Sequence, residues 1–193
     1  MVQGRDPVVF DGHNDVLLKL HKAGGLSQAA GFGTGLPGAV DLPKAQAGGF
    51  GGGFFAVSVP SPTDRTLKTD EMAKATYDLP LPDPIDWEDG FPVAMTETAI
   101  LFELERQGFL TVCRSVAQIR GCMAQGRIAA IFHIEGAEAI DADLHMLDVL
   151  HQAGLRSIGP VWSRSTIFGH GVPVRFPSSP DIGNGLTDLG LRL

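Results

Sequence analysis

Apolar residues fall into two patterns along this chain: short unbroken runs, and longer stretches in which they recur every three or four positions. The runs PVVF from Pro7, GFFAVSV from Gly53, IAAIFHI from Ile128 and RSIGPVW from Arg156 predict buried strands. Between the later runs, Thr98 to Gln107, Ser115 to Gln125 and Leu144 to Gln152 carry the helical spacing, and Gly108, Gly126 and Gly154 stand where helix ends need a left-handed residue. Strand alternating with helix predicts a parallel α/β sheet or barrel.

Two stretches break the pattern. Ser61 to Pro92 holds Pro62, Pro80, Pro82, Pro84 and Pro92 among acidic residues, which predicts a long lid or rim loop, and Phe168 to Asn184 predicts a second loop. The final GLTDLGLRL starts a helical pattern at Leu186, Leu189 and Leu191, with Thr187 and Asp188 as capping residues, and then stops. That ending is expected of the front part of a longer protein, or of a gene that has lost its rear part.

Composition narrows the partners. Of 193 residues, 15 are Lys or Arg and 22 Asp or Glu, a formal charge of −7, so a basic footprint for nucleic acid or anionic lipid is not expected. Cys113 and Cys122 are too few for a disulfide framework and read as small buried side chains. No basic start followed by a long apolar run is visible, and no apolar run nears the roughly 18 to 20 residues that span a bilayer. A soluble, cytoplasmic protein without nucleic-acid or membrane partners is the expectation.

Candidate chemistry gathers where strands end. In Asp11-Gly12-His13-Asn14-Asp15 the first strand, if it continues, turns residues two apart to one side, so Asp11, His13 and Asp15 can share a face. An imidazole with a carboxylate at a strand end is ligand chemistry for a cation such as zinc; the alternative is that Asp11 or Asp15 caps the next helix and His13 bonds nearby. In IFHIEGAEAI, Ile131, His133 and Glu135 fall on one side of a strand. Glu135 is then placed to bridge two cations, or else to complement a helix dipole. His133, one layer deeper, reads as a satisfied interior histidine, and Glu138 as part of the following loop or helix.

Other motifs are weaker. Gly48-Gly49-Phe50-Gly51-Gly52-Gly53 precedes a strand, whereas a dinucleotide loop follows one, so these glycines predict a tight strand entry with close backbone packing. Trp162 and Arg164, after the last strand run, either line a pocket in which Arg164 grips a carboxylate, or are a core ring and a surface pairing. His170 reads as an exposed loop residue, and His21, His145 and His151 as polar faces of helices.

Together, DGHND, DLPKAQAGGFGGGFFAV from Asp41, IEGAEAI from Ile134, GLRSIGPVW from Gly154 and GLTDLG from Gly185 resemble the zinc dipeptidase family that includes renal (membrane) dipeptidase, in its soluble bacterial branch. The blocks keep that family's order and approximate spacing. The resemblance implies a (β/α)8 TIM barrel with two Zn2+ ions at its C-terminal mouth, here an incomplete N-terminal portion of about four βα units forming one domain over residues 1–193. It implies hydrolysis of dipeptides by a metal-held hydroxide. His13 and Asp15 match the pair on one zinc, Glu135 matches the bridging carboxylate, and Trp162 and Arg164 are the expected substrate-binding residues.

Three departures qualify that reading. The family's two further histidine ligands and its late catalytic aspartate have no counterpart here, so hydrolysis by these residues alone is expected to be weak or absent. Trp162 occupies the place of a histidine that contacts substrate in the animal enzymes. Four βα units also leave exposed parallel edges. The expected partner is a dipeptide, with a homodimer as one assembly. The rivals are a non-catalytic truncated product, a half-barrel completed by another chain, and a metal-free small-molecule binding module.

Overall fold

The computed structural model describes residues 8–61, 69–179 and 183–193. Among them the strands are β1 (Val9–Asn14), β2 (Phe50–Ser58), β3 (Tyr77–Leu79), β4 (Leu110–Val112), β5 (Ile128–Glu135), β6 (Leu155–Gly159) and β7 (Val174–Phe176). The helices are α1 (Val16–Gly24), α2 (Ala30–Thr34), α3 (Leu42–Ala47), α4 (Trp87–Arg106), α5 (Val116–Ala124) and α6 (His145–Ala153).

Five strands form one parallel sheet, in which β1 pairs with β2 and β2 with β5. The far edge of β5 is shared: β4 pairs with Ile128 to Ala130, and β6 with Phe132 to Glu135. Parallel strands joined by helices place every strand's C-terminal end on the same side, which is where such folds build their sites. This is the parallel α/β arrangement that the strand and helix alternation predicts, and it agrees with the incomplete barrel that the family resemblance implies.

Burial along β5 alternates. Ala130, Phe132 and Ile134 are fully covered, while Ile131, His133 and Glu135 are only half-covered. The covered side meets the helices: Leu17 and Leu20 of α1, Ile100, Leu101 and Leu104 of α4, and Phe55 and Val57 of β2 join Phe132 and Ile134 in one core. Each such side chain contributes about 1.5–3 kcal/mol by leaving water. The other side of the sheet carries the polar groups.

The glycine run behaves as its position before a strand predicts, although β2 already begins inside it, at Phe50. A Cβ at Gly52 would lie 2.4 Å from the carbonyl oxygen of Ala129 on β5, so only glycine lets these strands meet at that level. Asp41 caps α3, its carboxylate accepting from the backbone N–H groups of Lys44 and Leu36 and pairing with the Lys44 ammonium. These bonds to charged and backbone donors hold its carboxyl down at about 2.

Three expectations need correction. Pro92 does not end an irregular stretch: α4 starts at Trp87, well before Thr98, and contains it. Tertiary contacts override the missing N–H there. Trp87 stacks on Phe91 at 5.0 Å and donates its indole N–H to Ala139, while Gly90 packs against Glu138. Second, the two supposed loops meet, β3 from one pairing antiparallel with β7 from the other. Third, the last strand run stops at Gly159, leaving Trp162 outside it. The short β4, α2 and α3 went unforeseen because a few residues show no period. Pro7, Pro62 and residues 180–182 lie outside the described residues.

Several local expectations hold. Gly108, Gly126 and Gly154 adopt φ of 77°, 68° and 128°. The stretch from Ser115 forms α5, and its first residue lies just outside the helix as a cap not foreseen, the Ser115 side chain accepting the backbone N–H of Gln118. At the chain's end Thr187 Oγ1 accepts the N–H of Gly190, closing one helical turn.

Candidate metal centre

β1 continues through the DGHND motif to Asn14, and Asp15 occupies the N-cap position of α1. Its carboxylate makes no capping bond; it turns to His13 instead, with Oδ1 3.1 Å from Nε2. Asp11 serves the backbone, accepting from the Asn14 side chain at 2.9 Å and the His13 N–H at 3.3 Å. Asn14 also donates to the carbonyl of Phe54, tying the end of β1 to β2. Asn14 is buried, a supporting role that its polar character alone did not reveal.

Glu135, the last residue of β5, reaches the same point. Its Oε2 lies 3.6 Å from His13 Nε2. One ligand atom each from His13, Asp15 and Glu135 lie within 4.8 Å of one another. The side chains of His13 and Asp15 are 38% and 47% exposed, and that of Glu135 25%, so the cluster opens to solvent on one side. Burial raises the Glu135 carboxyl above its usual range, the His13 ring pulls it down, and the Asp15 carboxylate adds to the rise. One imidazole nitrogen and two carboxylates converging on a common point form a donor set that suits a borderline divalent cation.

His133 lies one layer deeper, as the strand period predicts. Its ring sits 5.9 Å from that of His13 and 6.0 Å from that of Phe54, and its Nδ1 is 2.9 Å from the Ser157 hydroxyl. Burial and the neighbouring His13 lower its pKa. It is a satisfied interior histidine. Ser58 stands beside the cluster, opposite Glu135 in the ladder between β2 and β5, and nothing in the sequence pattern singled it out.

Trp162 and Arg164 lie after β6, with the guanidinium 5.9 Å from the centre of the indole ring. Arg164 is 1% exposed, and its donors are directed inward: Nε to Glu138 Oε1 at 2.8 Å, Nη1 to Ser61 Oγ at 2.8 Å and Nη2 to the carbonyl of Val59 at 2.5 Å. It is therefore neither a surface pairing nor a fork open to water. It joins the segments that follow β2, β5 and β6. Half-exposed Trp162 covers it.

A second acidic group, Asp141, Asp143 and His145, also has ligand atoms close together. Asp141 spends its carboxylate on the N–H groups of Met146 and His145 at the start of α6, which lowers its pKa.

A family model described as membrane dipeptidase (peptidase family M19) matches residues 4–193. The chain belongs to that family. Its fold superposes on a crystal structure of a metallo peptidase from Rhodobacter sphaeroides bound to a phosphinate mimic of the dipeptide L-Ala-D-Ala, with a TM-score of 0.89 and 48% identity. That match covers 96% of this chain and 54% of the other. The crystal structure of dipeptidase AC, a metallo peptidase, gives a TM-score of 0.87 at 48% identity, covering 96% and 53%. An uncharacterized protein in the PQQ-III 3' region of Acinetobacter calcoaceticus is 35% identical over 184 residues, which is 94% of this chain and 57% of that protein. This member of the membrane dipeptidase family thus spans about half the length of the relatives it matches. No helix among its described residues is long and apolar enough to cross a membrane.

Proposed function

We propose that residues 1–193 are the front part of a zinc-dependent dipeptidase barrel, with His13, Asp15 and Glu135 as metal ligands and a dipeptide as substrate. The observation that carries this is the meeting of the three side chains at the C-terminal ends of β1 and β5. The 48% identity to a peptidase crystallised with a dipeptide mimic supports it.

When bound, zinc would supply Lewis acidity and lower the pKa of water to near neutrality. The chain's own groups divide the remaining work. His13 and Asp15 hold one side of the site and Glu135 the other, with Ser58 beside Glu135 on β2. Trp162 presents a ring to the substrate side. Arg164 supports that ring from behind and holds three rim segments together, so its contribution to substrate binding runs through their placement. The three ligands alone would give a second cation a single carboxylate, so hydrolysis by these residues unaided is proposed to be weak or absent.

The half-barrel reading, with a second polypeptide completing the sheet, is favoured by one observation. Val9 and Phe10 on the outermost strand β1 are 48% and 39% exposed, an apolar edge that a full barrel would cover. A homodimer is one way to cover it, and a cytoplasmic location remains part of the proposal.

Zinc quantification on the purified chain, beside a dipeptide-hydrolysis assay with added zinc, tests the reading. Bound zinc that is lost in both His13→Ala and Glu135→Ala supports it. Zinc retained in both variants overturns the ligand assignment, and zinc never bound by the wild type overturns the reading in favour of a metal-free binding module.

A further inference from the structure

Glu97 lies inside α4, facing the sheet, and is 0% exposed. A carboxyl in such a place needs a reason, because burying it without partners is costly. Its Oε2 accepts the backbone N–H of Ser58 at 2.8 Å, while its Oε1 has no hydrogen-bond partner among the described residues. Ser58 is the last residue of β2 and stands opposite Glu135 in the ladder. On the other side of β2 the pairing with β1 ends at Asn14 opposite Phe55, so β2 outruns its neighbour. The end of β2 therefore takes an acceptor from the helix layer. In that register the Ser58 side chain stands beside Glu135 on the same face of the sheet.

We infer that Glu97 is a positioning residue: by holding the Ser58 N–H from the helix side of the sheet, it fixes the hydroxyl that orients Glu135 toward His13. The inference rests on the metal-site reading above. Groups that orient a ligand from outside are worth about 10- to 100-fold in metal affinity. The required property is a neutral acceptor at the Oε2 position. Burial is the main reason the Glu97 carboxyl is pushed up to about 8, which keeps it protonated at neutral pH, and the Asp15 carboxylate adds to that rise. Glutamine should therefore replace it and leucine should not.

The test measures zinc affinity of the full chain by chelator competition at pH 7, with circular dichroism and Tm recorded for each variant. Ser58→Ala and Glu97→Leu should each weaken zinc binding about tenfold or more. Glu97→Gln should stay within about twofold of wild type, and the double variant Glu97→Leu/Ser58→Ala should be no weaker than Ser58→Ala, since both act through the Ser58 side chain. Unchanged affinity in Ser58→Ala overturns the inference, even if Glu97→Leu does not fold. So does a folded Glu97→Leu with wild-type affinity, or a Glu97→Gln as weak as the leucine variant. Glu135→Ala separates the two levels. If it loses zinc while the Ser58 and Glu97 variants keep it, only the positioning role fails; if it keeps zinc, the metal site itself fails.

Discussion

His13 Nε2 lies 3.6 Å from Glu135 Oε2, although their strands are separated in the sheet by β2. Parallel pairing carries both residues to the same end of the sheet, and the small side chains of Ala56 and Ser58 on the intervening strand lie between them. Zinc that uses this pair must bind the folded chain better than the unfolded one. At about 100 times its Kd it should stabilise the fold by about 2.7 kcal/mol, which raises Tm by roughly 5–10 °C. Differential scanning fluorimetry with and without zinc reads this directly, and His13→Ala should abolish the shift.

The buried carboxyl of Glu97 makes stability depend on pH. Burial pushes its folded pKa up to about 8, above the ordinary value of 4.5. Between those values the folded chain keeps a proton that the unfolded chain has lost, so stability falls as pH rises through that window and levels off above it. The loss is on the order of a few kcal/mol. Urea unfolding at pH 5 and pH 8 should show a steeper decline for wild type than for Glu97→Gln. Equal slopes for the two proteins would mean that Glu97 titrates normally.

Arg164 and Glu138 form an ion pair out of contact with water, their side chains 1% and 0% exposed. Breaking such a pair from one side leaves the other charge buried, at a cost of about 3–5 kcal/mol. Arg164→Met should lose this much in urea unfolding. The double variant Arg164→Met/Glu138→Leu should recover a substantial part, because no lone charge remains. A single variant within about 1 kcal/mol of wild type would show that the pair contributes little.

Two glycines should respond in opposite ways to alanine. At Gly52 the new Cβ would meet backbone of β5, so Gly52→Ala should destabilise the sheet by about 1–3 kcal/mol or more. At Gly12 nothing lies within 4 Å and φ is ordinary, so Gly12→Ala should be neutral within about 0.5 kcal/mol. Chemical denaturation of the pair tests whether close packing, and not flexibility, explains the glycine run.

Local order decided much of this in advance. Strand runs, helix periods and the left-handed glycines at 108, 126 and 154 are short-range properties, written where side chains alternate or a helix must end. The proposed ligands His13 and Glu135 were legible for the same reason, since each stands at the end of an apolar run. What the chain could not declare locally were relations between distant segments: Pro92 accepted inside α4 because Trp87 and Gly90 pack against the β5 loop, and β3 pairing with β7. The inward turn of Arg164 toward Glu138 and the pairing of Glu97 with Ser58 are of the same kind. In each of these the governing energy is desolvation or contact with a partner far away in sequence, and such a partner exists only once the sheet and its helix layer have assembled.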